Sequence, residues 1–303
     1  RNPDDPLQID APYWAVSHEP LKAHPGLSNE LKRDHGAALA AVALDHACKT
    51  ANLDPQAMDG TRVGLVLGSA LAGQLGMIGF ADEVRAQTAR FVSPIHFPQT
   101  VGNFIAGALA RAYNIRGPNQ TLACGAASGL TALAEAASLI AAGAADVVFA
   151  GGVDALSPPY ATGLANHAEV LSEGACILLL ESQTSAQNRQ VTPLALLDAD
   201  QDASECQSPA PPNKPTIVSV AGLKLDQAIT IQSWIGNAFA ALGAAAAAAA
   251  IGAAQGQPVP TSGHPALPPN DSTLDLKILV AADDQHTAQL GLKAMAGPVR
   301  PDG

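Results

Sequence analysis

The stretch from Gly117 to Asp154 constrains the fold more than any other part of the chain. It reads as strand, sharp turn, buried helix and strand. Thr121 to Cys124 is a short apolar run that predicts a strand carrying Cys124 within it. Gly125 permits a tight bend, because glycine tolerates positive φ. Ser128 and Gly129 suit a helix start, where a hydroxyl can satisfy orphan N–H groups. Leu130 to Ala142 is apolar apart from Glu135, and Gly143 can close that helix. Asp146 to Ala150 then predicts a buried strand ended by Gly151-Gly152. A side chain at the tip of such a helix sits in the positive end of its dipole, which suits a nucleophile that must carry negative charge.

Composition narrows the function classes. The chain has 303 residues, enough for a substantial core. Apolar residues make up 48% and charged ones only 14%, so broad faces must be buried, within the chain or against a partner. A net charge of −11 argues against nucleic acid, which selects basic stripes. Cys48, Cys124, Cys176 and Cys206 show no paired spacing and no metal-type motif, so we expect buried thiols in a reducing, cytoplasmic compartment and no metal. No signal-peptide pattern opens the chain, and its start at Arg1 in place of Met leaves room for a further N-terminal piece. Ile235 to Ala254 carries no charge over 20 residues, but alanine is weakly apolar and Gly236, Asn237, Gly243 and Gly252 interrupt it. A buried, close-packed helix is expected there, not a membrane span.

In chain order, Arg1 to Leu27 reads as an irregular arm. Asn29 to Leu53 predicts a helix ended by Asp54-Pro55. Arg62 to Ser69 predicts a strand running into a glycine-rich turn, in which Gly68, Gly73, Gly76 and Gly79 miss the dinucleotide-binding spacing. Ala81 to Phe91 predicts a helical connector, Gln183 to Gln190 a polar turn and Val191 to Leu197 a strand. Asp198 to Pro215 is acidic and Pro-rich, like a linker, and Leu276 to Ala281 predicts a late strand. Between Val84 and Ala134 there are four arginines, Arg85, Arg90, Arg111 and Arg116, and no Asp or Glu. This is a local cationic patch on an acidic chain.

The central segment resembles the nucleophile elbow of the β-ketoacyl synthases. The matching residues are Gly117-Pro118, Ser128-Gly129, Ala145-Asp146-Val147-Val148 and Ala150-Gly151-Gly152. Further matches are the Ser93-Pro94 to Gly107 series, Tyr113, and Glu173-Gly174-Ala175 with the strand after it. The resemblance implies a thiolase-like layered αβαβα fold of two pseudo-repeated halves, residues 1–182 and a shortened 183–303. It implies no cofactor. It also implies that Phe97, Gln99, Thr100, Asn103 and Phe104 face a paired subunit and bound an acyl tunnel, and that the arginine patch meets an acyl carrier protein.

Counting between the flanking anchors puts the family's cysteine at Ala126, two residues after Cys124. By the same resemblance Gln232 stands for the family's lysine and Asn237 for its second histidine. The first histidine and the glycine-rich Phe loop have no counterpart. Decarboxylative condensation needs a thiolate to attack the acyl thioester and imidazoles to stabilise the enolate. It also needs N–H donors for the oxyanion. With these groups missing together, the expectation is a non-condensing subunit of the chain-length-factor kind, paired with an active ketosynthase or with itself. The alternative is an acyltransferase or condensing enzyme with a relocated nucleophile, Cys124, and His96, His167 or His264 as base. His286 lies near the missing Phe loop and is the other imidazole singled out.

Overall fold

The computed structural model describes residues 13–16, 21, 23–25, 27–164, 170–198, 217–220, 229–230, 238–254, 274–281 and 287–294. Two sheets organise them. The first has strand order β3-β2-β4-β6, with β2 at Val63–Gly68, β3 at Asn119–Leu122, β4 at Val147–Asp154 and β6 at Gly174–Glu181. β2 pairs parallel with both β3 and β4, while β6 runs antiparallel to β4. The second sheet is antiparallel throughout. It comprises β7 (Ala195–Asp198), β8 (Ile217–Val220), β9 (Ile229–Thr230), β10 (Leu274–Ala281) and β11 (Thr287–Ala294), in the order β7-β11-β10-β8-β9. A short parallel pair joins β1 (Tyr13–Trp14) to β5 (Leu171–Ser172).

β2 and β4 are buried at every position, as expected of parallel strands covered on both faces. Alternation along them sorts the core into two layers. Val63, Leu65, Leu67, Val147, Phe149 and Val153 pack with Leu39 and Leu44 of helix α1 (His35–Ala51) and with Leu109 of α3 (Phe104–Ala112). Val66, Val148 and Ala150 face the other way. They meet Leu130 and Leu133 of α4 (Ser128–Ala141) and Leu242, Ala246 and Ala247 of α7 (Ala240–Ala254). α4 contacts β11 and α7 contacts both β10 and β11, so these two helices fill the space between the sheets. The described residues thus supply the layers helix, sheet, helix, sheet. α7 also answers the membrane question raised by its alanines: it is packed inside, and no helix among the described residues is long and apolar enough to cross a membrane.

Several local expectations need correction. The first helix begins at His35 rather than Asn29, because Asp34 is extended and its carboxylate caps the helix by accepting the Ala37 N–H at 2.8 Å. The helix expected over Ala81–Phe91 is α2, Gln74–Gln87, which runs straight through Gly76 and Gly79. A Cβ at Gly76 would lie 2.2 Å from the Gln99 carbonyl oxygen, so the glycine there admits the neighbouring 3-10 segment Pro94–Thr100. β4 does not stop at Gly151-Gly152 but continues to Asp154. Gln183–Asn188 is a short helix, α6, capped by the Ser182 hydroxyl, and not a turn. β7 starts at Ala195, later than expected, and β11 was not expected at all. The remaining helix, α5, spans Pro158–Leu164.

Candidate functional site

The elbow is built from its turn upward. β3 ends at Leu122, so Cys124 is not inside the strand as expected. Gly125 takes φ 60°, and Gly125–Ala127 form a 3-10 turn that feeds directly into α4. The Ser128 hydroxyl explains why the strand stops short. It is fully buried, accepts the Cys124 backbone N–H at 2.8 Å and donates to the Gly125 carbonyl at 2.6 Å. That pair of bonds draws Cys124 into the turn. Gly68 lets the helix start sit against the end of β2, since a Cβ there would lie 2.2 Å from the Ser128 carbonyl carbon.

Cys124 and Ala126 are both half-buried, and both pack on the apolar cluster that includes Leu130, Leu133 and Leu242. Of the four described histidines, His46 is exposed on α1 and the other three are engaged elsewhere. His24 lies 3.5 Å from Asp45, His35 is 2.8 Å from Glu173, and His96 is 2.8 Å from Glu83. Gln232, Asn237, His167, His264, His286 and Cys206 lie outside the described residues. Burial pushes the Cys176 thiol up to about 12; burial, followed by the Asp45 and Asp54 charges, does the same to Cys48. Neither is a thiolate at neutral pH. Among the described residues no metal-binding cluster forms.

Sequence reasoning missed the residue that ties this site together. Asp154, at the end of β4, is 1% exposed. Its Oδ1 accepts the Ser69 hydroxyl at 2.6 Å, the Leu71 N–H at 2.7 Å and the Ala70 N–H at 3.0 Å. Its Oδ2 accepts the Ala240 N–H at 2.9 Å, at the start of α7. Burial pushes this carboxyl up to about 6, against the opposing pull of those hydrogen bonds. The Ala240 carbonyl in turn sits where a Cβ on Gly129 or on Gly152 would approach it to 2.0 Å. One turn of chain at 238–241 therefore rests on the elbow helix, on β4 and on the Gly68-Ser69 turn together. Phe239 holds φ 49° there, and its ring packs edge-to-face on Tyr160 at 5.7 Å within a cluster including Leu71 and Leu156. A lone Asp closing an uncharged strand was the available signal.

A second buried carboxylate lies close by, just before β6 where it pairs with the end of β4. Glu173 bonds His35 at 2.8 Å and accepts the N–H groups of Val16 at 2.8 Å and Leu156 at 3.0 Å. Burial works to raise its pKa, but the His35 bond and charge and the two N–H donors outweigh it, so the carboxyl stays below its usual range.

The residues expected at a subunit interface divide. Phe97 is 56% exposed, Asn103 is exposed, and Gln99 and Thr100 are half-buried, with the Thr100 hydroxyl donating to the Phe97 carbonyl. Phe104 begins α3 and turns inward, buried in the first core layer. Met77, Phe91, Ile95 and Val101 are exposed as well, and neither α2 nor the Pro94–Thr100 segment contains a fully buried residue. Of the arginine patch, Arg85 pairs with Asp82 at 2.7 Å, Arg111 with Glu30 and Arg116 with Asp59 at 3.8 Å. Arg90 is exposed. Carboxylates from outside the Val84–Ala134 stretch thus offset much of its charge.

Comparison with known proteins follows the same outline. Residues 23–185, more than half of the chain, match a family model described as the N-terminal domain of β-ketoacyl synthase. The chain is 32% identical over 116 residues to 3-oxoacyl-[acyl-carrier-protein] synthase 2 of Rhizobium meliloti, covering 38% of this chain and 28% of that protein. It is 26% identical over 211 residues to synthase 2 of Staphylococcus aureus, covering 57% and 52%. The chain thus spans between about a quarter and a half of the curated relatives it matches. Two solved structures share the fold. A ketosynthase structure of a type II polyketide synthase, determined with its acyl-carrier protein, superposes with a TM-score of 0.65 at 17% identity, covering 86% of this chain and 85% of that one. The ishigamide ketosynthase/chain length factor gives 0.64 at 17%, covering 93% and 86%.

Proposed function

Because this chain belongs to the β-ketoacyl synthase family, with the thiolase-like fold of that family, we propose that it is a non-condensing subunit of the chain-length-factor kind, pairing with an active ketosynthase. The observation that carries this reading is the elbow. At the position that the family's spacing gives to the nucleophile stands the methyl group of Ala126. The neighbouring thiol, Cys124, packs on apolar side chains, with its backbone N–H held by Ser128. A turn so anchored keeps its shape without doing acyl transfer. By the same reading Gln232 and Asn237, in place of the family's lysine and histidine, supply no enolate stabilisation.

The exposed apolar side chains Met77, Phe91, Ile95, Phe97 and Val101, all within residues 74–103, support the pairing half of the proposal, since exposed apolar surface concentrated in one region marks a contact surface. The acyl carrier protein of the partner enzyme is a further expected contact, through Arg90 and its neighbours. The test has two arms. Incubation with an acyl thioester is expected to leave the mass of the protein unchanged, and co-expression with a ketosynthase that retains its Cys-His-His set is expected to give a near-stoichiometric complex. An acyl adduct that Cys124→Ala abolishes would replace this proposal with the relocated-nucleophile enzyme.

A further inference from the structure

A cleft of about 460 Å³ opens between the start of α1 and the face of α2, away from the elbow. Its size falls within the range that holds small molecules. Three features of its wall bear on what it could hold. Lys32 and Arg33 sit together on the 3-10 turn Leu31–Arg33, and neither side chain forms an ion pair with a described residue. Glu83 gives one carboxylate oxygen to His96 Nδ1 at 2.8 Å, while its Oε2 is buried with no hydrogen-bond partner. Leu75 and Phe80 form the apolar part. Asp34 and His35 reach the wall too, but the first caps α1 through Ala37 and the second is held by Glu173.

A buried acceptor without a donor is costly, and the deficit is met when a bound group supplies an N–H or O–H. Two adjacent cations on the lip select a negative terminus. The apolar wall selects a hydrocarbon body. We propose that this cleft binds a small amphiphilic anion carrying an amide N–H, of the N-acyl amino acid class. The carboxylate lies on Lys32 and Arg33, the amide N–H points to Glu83 Oε2, and the acyl chain covers Leu75 and Phe80.

The site does not rest on the pairing proposed above, because binding is read on the chain alone and pairing on co-expression, so either can fail by itself. The probe is N-hexanoylglycine, followed by isothermal titration calorimetry. Saturable binding at one site per chain is expected. Replacing both cations (K32A with R33A) should weaken it about tenfold or more, and E83A about fivefold, by loss of a charge-assisted contact in each case. The methyl ester of the probe, which lacks the charge, should bind no better than the double variant binds the acid. Octanoate, which lacks the donor, should bind alike to the wild type and to E83A. Thermal unfolding midpoints of all variants, expected to match the parent, separate loss of the site from loss of the fold. No binding by the parent chain, or affinity unchanged in both variants, overturns the proposal.

Discussion

The seam around Asp154 and the lobe formed by residues 74–103 lie in one chain and follow opposite rules. At the seam, backbone approaches backbone at glycines, and a buried carboxylate has all its neighbours in place. On the lobe no residue of α2 or of Pro94–Thr100 is fully buried, Phe80 and Phe97 meet edge-to-face at 6.0 Å, and large apolar side chains stand exposed. The carboxylate there, Glu83, keeps an unpartnered oxygen. The seam is complete within the chain. The lobe leaves large apolar side chains uncovered by the described residues. If the elbow has been released from chemistry, the packing that once served a reaction now serves only the fold, and the interacting surface lies elsewhere.

Substitutions can break this contrast, and the largest effect is expected on the closed side. His35→Ala strips Glu173 of its imidazole while leaving the carboxylate 3% exposed, so the unfolding free energy at pH 7 should fall by about 3–4 kcal/mol in denaturant titration. A loss below about 1 kcal/mol would mean that the pair contributes little. Gly152→Ala forces a Cβ to 2.0 Å from the Ala240 carbonyl oxygen, where backbone must move, and should cost about 3 kcal/mol by the same measurement. Unchanged stability would show that the turn at 238–241 yields freely.

Asp154 sharpens the contrast through pH. Its folded pKa of about 6 lies above the unfolded value near 4, so the folded chain takes up the proton first as pH falls. The contribution of this carboxyl is therefore fully present below pH 4 and declines as pH rises through 6. Between pH 7 and pH 4.5 the stability of the parent relative to Asp154→Asn should rise by about 2 kcal/mol. A flat or opposite difference would sink the claim that burial dominates at this carboxylate. The smallest stability effect belongs to the open side. Met77→Ser combined with Phe97→Ser should shift unfolding by no more than about 0.5 kcal/mol, because both side chains are already exposed, yet should abolish co-purification with a ketosynthase. Loss of stability without loss of pairing would reverse the roles given to the two regions.

The sequence disclosed the seam's strands more readily than its chemistry. Apolar runs and the Gly-Gly ends made β2, β4 and α4 legible, because strands covered on both faces leave little room for other residues. α2 was hidden by Gly76 and Gly79, which weaken a helix locally; Gly76 is required where Gln99 crosses, whereas a Cβ at Gly79 would meet open space. Cys124 was assigned to the strand because residue type alone does not reveal that a serine four positions later captures its N–H. The arginine patch looked unopposed because its carboxylates, Asp59 and Glu30, come from distant parts of the chain. Asp154 and Glu173 escaped notice for a general reason: a single acidic letter does not announce how many donors converge on it.

Phe239 is bulky, yet its backbone takes a positive φ. A bulky residue in the left-handed region carries about 1 kcal/mol or more of backbone strain, and it persists only where its surroundings hold it. Here the grip is the ring on Tyr160, one residue before the N–H that reaches Asp154. Loosening that aromatic contact would let the backbone relax and ease α7 away from the elbow it covers.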